Sequence, residues 1–348
     1  MIIIANILTM LMNVAGAIAA FWLGAAMLGI LLLLMCGMHA LWFFLARSRI
    51  PLAAELLKSS VDVLSTYKTV YAVNLMMCFL CAGFTILWGY AMVPPLDRAN
   101  KGTAGVGTGF LIFFLLLSLF WTQQVVGNLM HVTTAGLTAT WYFAGKNNMP
   151  RNPTLASFKR GVTTSFGSIC FGSLLVAIIR VIRVIVSSAE NSNHEVLRCI
   201  FLCIINCLEN LLEYFNTYAF VHVAIYGCGY IEAAKKTWEL CKQCAFAAIF
   251  NDSFIDVTLS LLIVGGSLLI GAIIGFLYFS YVAFAVAFLV SILVHSLLFA
   301  PITSGVTTFF VCYAEVPEGL QHSAPELYAA IHSADQNGTG NNAQAPRV

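Results

Sequence analysis

Apolar positions along this chain fall in long blocks rather than in alternation. Met1–Ala46, Thr103–Gly145 and Gly161–Ile179 contain no Asp, Glu, Lys or Arg. Such runs match the ~20 apolar residues a helix needs to cross ~30 Å of hydrocarbon. A membrane-spanning strand would leave ~10-residue segments alternating apolar with polar, which is not the pattern here. The blocks predict helices over 2–18, 20–45, 66–93, 106–144, 162–187, 199–227, 253–276 and 279–313. Between the second and third lies Arg47-Ser-Arg-Ile-Pro-Leu-Ala-Ala-Glu-Leu-Leu-Lys58, where charged and apolar positions interleave as in a helix lying on a membrane surface. The pattern therefore predicts an all-α, polytopic membrane helix bundle of about seven or eight transmembrane helices with one interfacial amphipathic helix. Two runs, Thr103–Gly145 and Phe279–Cys312, exceed a simple span. Gly127 and Gly136 in the first, and Pro301 in the second, leave open a tilted helix or a broken one.

Composition agrees. Only 9% of the residues are charged, against about 25% in a soluble domain. A net charge of +2 offers no field for nucleic acid. The polar stretch after Val316 divides the chain into a transmembrane domain, 1–316, and a tail, 317–348, whose Gly/Asn-rich end Asn337–Asn342 reads as disordered. Basic residues set the orientation. If the 47–68 segment is cytoplasmic, alternation places 146–160, 228–251 and the tail on the same side. That side then holds Arg47, Arg49, Lys58, Lys68, Lys146, Arg151, Lys159, Arg160, Lys235, Lys236, Lys242 and Arg347, twelve of the seventeen Lys and Arg. The expectation is a cytoplasmic C-terminus, with the sequons at Asn251 and Asn337 unglycosylated.

Charges inside apolar runs are costly and face a partner or water. Arg180 and Arg183 lie i, i+3 on one helix; Glu209 and Glu213 lie i, i+4 on the next, which returns antiparallel. The expectation is an Arg–Glu pairing, Arg183 with Glu209 first, that either locks the helices or leaves one carboxylate for a cationic substrate. Trp88, Trp121, Trp141, Tyr142, Tyr218 and Tyr226 lie in or near spanning segments. They serve as packing, as interfacial anchors, or as the aromatic faces that hold a quaternary ammonium. Gly167, Ser168, Gly172 and Ser173 form a small-residue patch for close helix packing or for a moving interface. Cys199, Cys203 and Cys207 share one face and read as small packing residues. The chain shows no disulfide framework, and His131, His222 and His295 lack the paired spacing of a metal or haem site, so neither cofactor nor metal is expected. Motifs of nucleotide hydrolysis, zinc proteolysis and serine hydrolysis are missing. The best acidic pair for a lipid enzyme, Asp252 and Asp256, reads more simply as helix N-terminal caps.

Several segments together resemble the choline transporter-like family, particularly its fungal and protist branch. These are Arg47-Ser-Arg-Ile-Pro-Leu-Ala with Leu57–Val63, Phe120–Asn128 through Ala135–Phe143, Ser165–Leu174 followed by Arg180 and Arg183, Cys207-Leu-Glu209, Asn216–Ala219 with Ala224–Gly227, and Cys312-Tyr-Ala-Glu315. The resemblance covers roughly 20–330 and implies about ten spanning helices, so that this chain enters partway and Met1–Ala20 has no counterpart. It implies facilitated transport of choline or a related organic cation, in the plasma membrane. On that reading Trp121, Trp141, Tyr142, Tyr218 and Tyr226 face a shared cavity, Glu209 supplies charge and Asn210 a polar contact. Gly167–Ser173 then lets one helix rock in alternating access. A non-transporting scaffold or lipid-handling protein is the alternative.

Overall fold

The structure is a computed structural model that describes residues 2–47, 50–188 and 195–339. Among the described residues the regular elements are all helical: α1 (Ile2–Trp22), α2 (Ala26–Ala46), α3 (Ile50–Thr66), α4 (Thr69–Asn100), α5 (Val106–Ala144), α6 (Pro153–Val162), α7 (Phe166–Ser188), α8 (Glu195–Tyr226), α9 (Tyr230–Leu277), α10 (Tyr281–Glu315), α11 (Pro317–Ser323) and α12 (Pro325–Thr339), with one short 3₁₀ turn at Lys146–Asn148. Eight of these are long and apolar enough to cross a membrane, α1, α2, α4, α5, α7, α8, the second half of α9 and α10. Large apolar side chains such as Leu31, Phe79, Phe110 and Leu293 point outward along them, as lipid-facing surface does.

Several boundaries differ from the sequence pattern. α4 continues through Pro94 and Pro95 to Asn100. α9 is the largest departure. Residues 228–251 read as a charged loop, but the helix starts at Tyr230 and runs unbroken for 48 residues. Asp252 and Asp256 therefore sit in its interior, not in a first turn with free N–H groups, and cannot be N-caps. α6 is a second short helix on the 146–160 segment, entered by a Pro at its first position, a placement that suits proline's fixed φ. The two long runs are helical throughout. α5 spans 39 residues, about 58 Å at 1.5 Å per residue, and α10 accommodates Pro301 without a break. The 317–339 stretch forms α11 and α12, while residues 340–348 lie outside the described part.

The chain forms two compact units. One comprises Met1–Ser65, Tyr142–Lys146 and Leu240–Val348. In it α1 and α2 make a hairpin that turns at Gly24, whose φ of +76° suits glycine. α3 is amphipathic as expected; it buries Leu52, Ala53, Leu56, Val63 and Leu64, and Ser60 donates to the Ile302 carbonyl at 2.9 Å. The core of the unit follows the last turns of α10, from Ile302 to Cys312. Tyr142, at the end of α5, donates through its hydroxyl to the Val316 carbonyl, and Ser323 at the end of α11 donates to the Tyr142 carbonyl.

The second unit comprises Thr66–Trp141 and Asn147–Glu239. Its apolar core gathers Val73 and Met77 of α4, Leu129 and Val132 of α5, Ile169 of α7, Ala219, Phe220 and Val223 of α8, and Tyr230 and Ala233 of α9. Trp88 pins α4 to α5 through an indole N–H bond to the Leu115 carbonyl at 2.7 Å.

Candidate functional site

Within the second unit α5, α7 and α8 carry polar residues on otherwise apolar helices, and these residues meet. On α5 they recur as Gln124, Asn128 and His131, spaced to one face. On α8 the matching face holds Glu209, Glu213, Asn216 and Thr217; on α7 it holds Ser173, Arg180 and Arg183.

The charges form one network. Arg180 Nε lies 2.8 Å from Glu209 Oε1, and another guanidinium nitrogen lies 2.5 Å from Glu213 Oε1. Arg183 completes it with a contact of 3.0 Å to Glu209 Oε2. The Arg183–Glu209 contact expected from the sequence is therefore present. Arg180, however, bridges both carboxylates and is the centre of the group. Gln124 Nε2 donates to Glu213 Oε1 at 2.9 Å, which ties α5 to the charges. Two positive and two negative groups cancel, which is what a low-dielectric site demands of buried ions. The carboxylates differ in surroundings. Glu209 is 4% exposed and held from both sides by guanidinium groups. Glu213 has a side chain 35% exposed, and its bonds fall on Oε1.

Nearer the α6 end of these helices the contacts become neutral. Asn128 Nδ2 donates to Ser173 Oγ at 2.9 Å, and the His131 imidazole lies 2.9 Å from the Thr217 carbonyl. Asn216, buried, donates to the Gly172 carbonyl at 3.1 Å and accepts from the Tyr230 hydroxyl. Trp121, one turn before Gln124, donates to the Cys170 carbonyl at 2.9 Å. These groups give three spanning helices a continuous polar seam.

The aromatic expectations fall in different places. Trp121 borders the seam and is partly exposed; Trp141 is half-buried at the end of the same helix. Tyr218 and Tyr226 belong to a row with Tyr214 and His222, each four residues apart along α8. The Tyr214 and Tyr218 rings are 5.2 Å apart, and His222 stacks on Tyr226 at 6.2 Å. Lys236 Nζ stands 3.7 Å over the Tyr226 ring, a cation on an aromatic face. Tyr142 lies in the other unit, fully buried against Phe143 and Phe309, with its hydroxyl on the Val316 carbonyl. Asn210 is exposed on α8.

Of the small-residue patch, Gly172 and Ser173 are buried in the seam, whereas Gly167 and Ser168 line a cavity at the start of α7. Cys199, Cys203 and Cys207 are exposed, so their face does not pack within the chain as expected. No group of three metal-ligating side chains occurs among the described residues. Sequence reasoning singled out the charges but missed Gln124, Asn128, His131 and Asn216. Their spacing on helices otherwise free of such groups was the available signal.

Eight candidate spans, with an ion network and a polar seam across three of them, are the architecture of a polytopic membrane protein. The comparisons with known proteins identify the family. The family model described as plasma-membrane choline transporter matches residues 30–318, and the chain belongs to that family. Its relatives include a CTL-like protein of Dictyostelium discoideum, 36% identical over 320 residues that cover 89% of this chain and 57% of the relative. Protein PNS1 of Gibberella zeae is 32% identical over 358 residues, 93% of this chain and 66% of that protein. Protein PNS1 of Neurospora crassa is 34% identical over 341 residues, 88% and 60% of the respective chains. This chain thus spans about three fifths of the length of these relatives. The family is one of membrane transporters, not of enzymes.

Proposed function

We propose that this chain moves choline or a related organic cation across the bilayer by alternating access. The observation that carries the reading is the half-open Glu213 carboxylate at the edge of a charge network in the middle of spanning helices. An organic cation cannot shed its hydration in hydrocarbon without a countercharge or aromatic faces to replace it. Glu213 offers the countercharge, with Glu209 and its two arginines fixing the field behind it. Trp121 offers a ring one turn away on α5, and Tyr218 and Tyr226 offer rings along α8. Asn210, beside Glu209 on α8, is the polar contact proposed for the substrate, whereas Trp141 stands twenty residues beyond Trp121 on α5 and Tyr142 is buried in the other unit, so neither is placed in this site. Gly167, Ser168, Gly172 and Ser173 give α7 a smooth side on which to rock against α8. Family membership supports the transporter class, and the plasma membrane is the proposed location.

Uptake of labelled choline by the purified chain in liposomes tests this. Saturable uptake that falls at least tenfold in Glu213→Gln and in Trp121→Ala is the expected result. Uptake indifferent to both substitutions would show that the site lies elsewhere. Folded protein with no uptake of choline or other organic cations would favour the scaffold or lipid-handling reading.

A further inference from the structure

The joint between α8 and α9 holds a tyrosine in an unusual position. Gly227 adopts φ +64°, and the chain passes from α8 into α9 within three residues, so that Tyr230 is the first residue of α9. Its ring does not point outward. It inserts against α7 and α8, with centroids 5.5 Å from Phe171 and 5.9 Å from Phe220. Its hydroxyl donates to Asn216 Oδ1, and Asn216 Nδ2 donates on to the Gly172 carbonyl. Gly172 is required for this approach, since a Cβ there would overlap the Tyr230 ring and stand 2.8 Å from Phe220 Cζ.

What lies on either side of the ring gives it meaning. On one side a cavity of about 520 Å³ is lined by Gly167, Ser168, Phe171, Tyr230, Glu232 and Lys235, a size within the range of small-molecule sites. On the other side is the polar seam. The step from Tyr230 to Asn216 to Gly172 leads to the adjacent Ser173, to Asn128 and then, one turn along α5, to Gln124 and Glu213. The Tyr230 ring, 8% exposed, is part of the cavity lining, and its hydroxyl makes the first bond of that series.

We infer that Tyr230 is the gate between a vestibule for a choline-sized organic cation and the polar seam of α5, α7 and α8. The inference deepens the transport reading and rests on it. The vestibule has the chemistry for such a cation. Phe171 and Tyr230 present two rings at 61° to each other, Gly167 and Gly229 leave room beside them, and Glu232 supplies a carboxylate that a cation would share with Lys236, 3.7 Å away, while Lys235 stands at the same lining. The latch is a single side-chain hydrogen bond plus a buried ring, and Gly227 and Gly229 at the joint just before it leave the backbone free of side chains at those two positions. Opening frees Asn216 Oδ1 to face the solute that displaced the phenol.

Thiol accessibility tests this without requiring transport, so a failure of the gate is distinguishable from a failure of the transport reading. Ser173→Cys and, separately, Gly167→Cys are placed in a Cys170→Ala, Cys228→Ala background and reconstituted in vesicles of phosphatidylethanolamine and phosphatidylglycerol, which contain no choline. Labelling by a water-soluble maleimide is followed at the introduced cysteine by mass spectrometry. Gly167→Cys should label readily in every background, because the cavity is open. Ser173→Cys should label slowly with Tyr230 present, and at least tenfold faster in Tyr230→Phe, which keeps the ring and loses the latch, and in Asn216→Ala. Millimolar free choline should slow labelling of Gly167→Cys at least threefold. Equal Ser173→Cys labelling with and without the Tyr230 hydroxyl would overturn the gate. Protection of Gly167→Cys in phosphatidylcholine vesicles but not by free choline would overturn the free-cation vestibule and assign the cavity to a lipid headgroup.

Discussion

Glu209 and Glu213 are one helical turn apart on α8, yet their substitution should have different consequences. Glu209 is buried and gripped by Arg180 and Arg183. Glu209→Gln removes the one anion they share and leaves excess positive charge in the seam. Breaking a buried pair in this way costs about 3–5 kcal/mol, so a marked fall in thermal stability in detergent is expected, with fluorescence-detected unfolding as the measurement. Glu213→Gln keeps the Arg180–Glu209 contact and a Gln124 neighbour, so its stability loss should be less than half as large while its effect on uptake is the greater. Arg183→Gln combined with Glu209→Gln should destabilise less than the sum of the two single changes, because each change relieves the charge that the other strands. The two glycines of the small-residue patch separate just as cleanly. Gly172→Ala forces a methyl group into the Tyr230 and Phe220 rings and should cost about 1–3 kcal/mol as overpacking does. Gly167→Ala meets nothing within 4 Å and should leave the unfolding temperature within about a degree, as surface changes of a few tenths of a kcal/mol do. Equal effects of the two glycine substitutions would show that the Gly172–Tyr230 contact does not form in the membrane.

At the scale of elements, the short helices after α10 are held by a few bonds whose loss should be measurable. Gly145 takes φ +73°, and a Cβ there would stand 2.8 Å from the Ser323 carbonyl oxygen. Gly145→Ala is therefore both strained in its backbone and blocked by its neighbour. With Tyr142→Phe, which gives up the bond to the Val316 carbonyl, it should expose 317–339 to protease several-fold faster than in the parent chain; unchanged cleavage would mean that α11 does not depend on this contact. Hydropathy made the spans legible because twenty apolar residues have few other uses, and α5 begins and ends where the pattern puts it. It failed at α9 for a physical reason. Tyr230–Cys244 is rich in Glu, Ala, Lys and Leu, which favour helix whatever their polarity, and a hydropathy reading saw only their charge. The site was legible to the same degree. Opposite charges on consecutive antiparallel helices announce a pairing, but a three-residue offset between Arg180 and Arg183 lies within the uncertainty of a helix end, so Arg180's central place was hidden. The Tyr230–Asn216 latch could not be read at all, because it depends on the close approach at Gly172 and the turn at Gly227.

For the whole molecule the distribution of basic residues leads to a prediction about sidedness. Eight spans in alternation put the segments between α2 and α4, between α5 and α7 and between α8 and the apolar half of α9 on one side with everything after α10. That side carries most of the Lys and Arg, and the helices found there sharpen the bias. Lys159 and Arg160 close α6, and Lys235, Lys236 and Lys242 all precede the span at Asp252–Leu277. Positive charge close to span ends resists translocation, so this face is proposed to be cytoplasmic, with Arg98 and Lys101 after α4 outside. In intact cells Lys101→Cys should react with an impermeant maleimide, whereas Lys146→Cys and Lys242→Cys should react only after permeabilisation, and the sequons at Asn251 and Asn337 should remain unmodified. The same experiment fixes the direction of the gate. The cavity beneath Tyr230 is lined by Glu232 and Lys235, on the face that carries this charge, so cytoplasmic labelling there makes Tyr230 the inner gate and requires the opposite closure to lie beyond Arg180 and Glu209. The reverse labelling pattern would make Tyr230 an outer gate and would mean that the positive residues do not set the orientation of this chain.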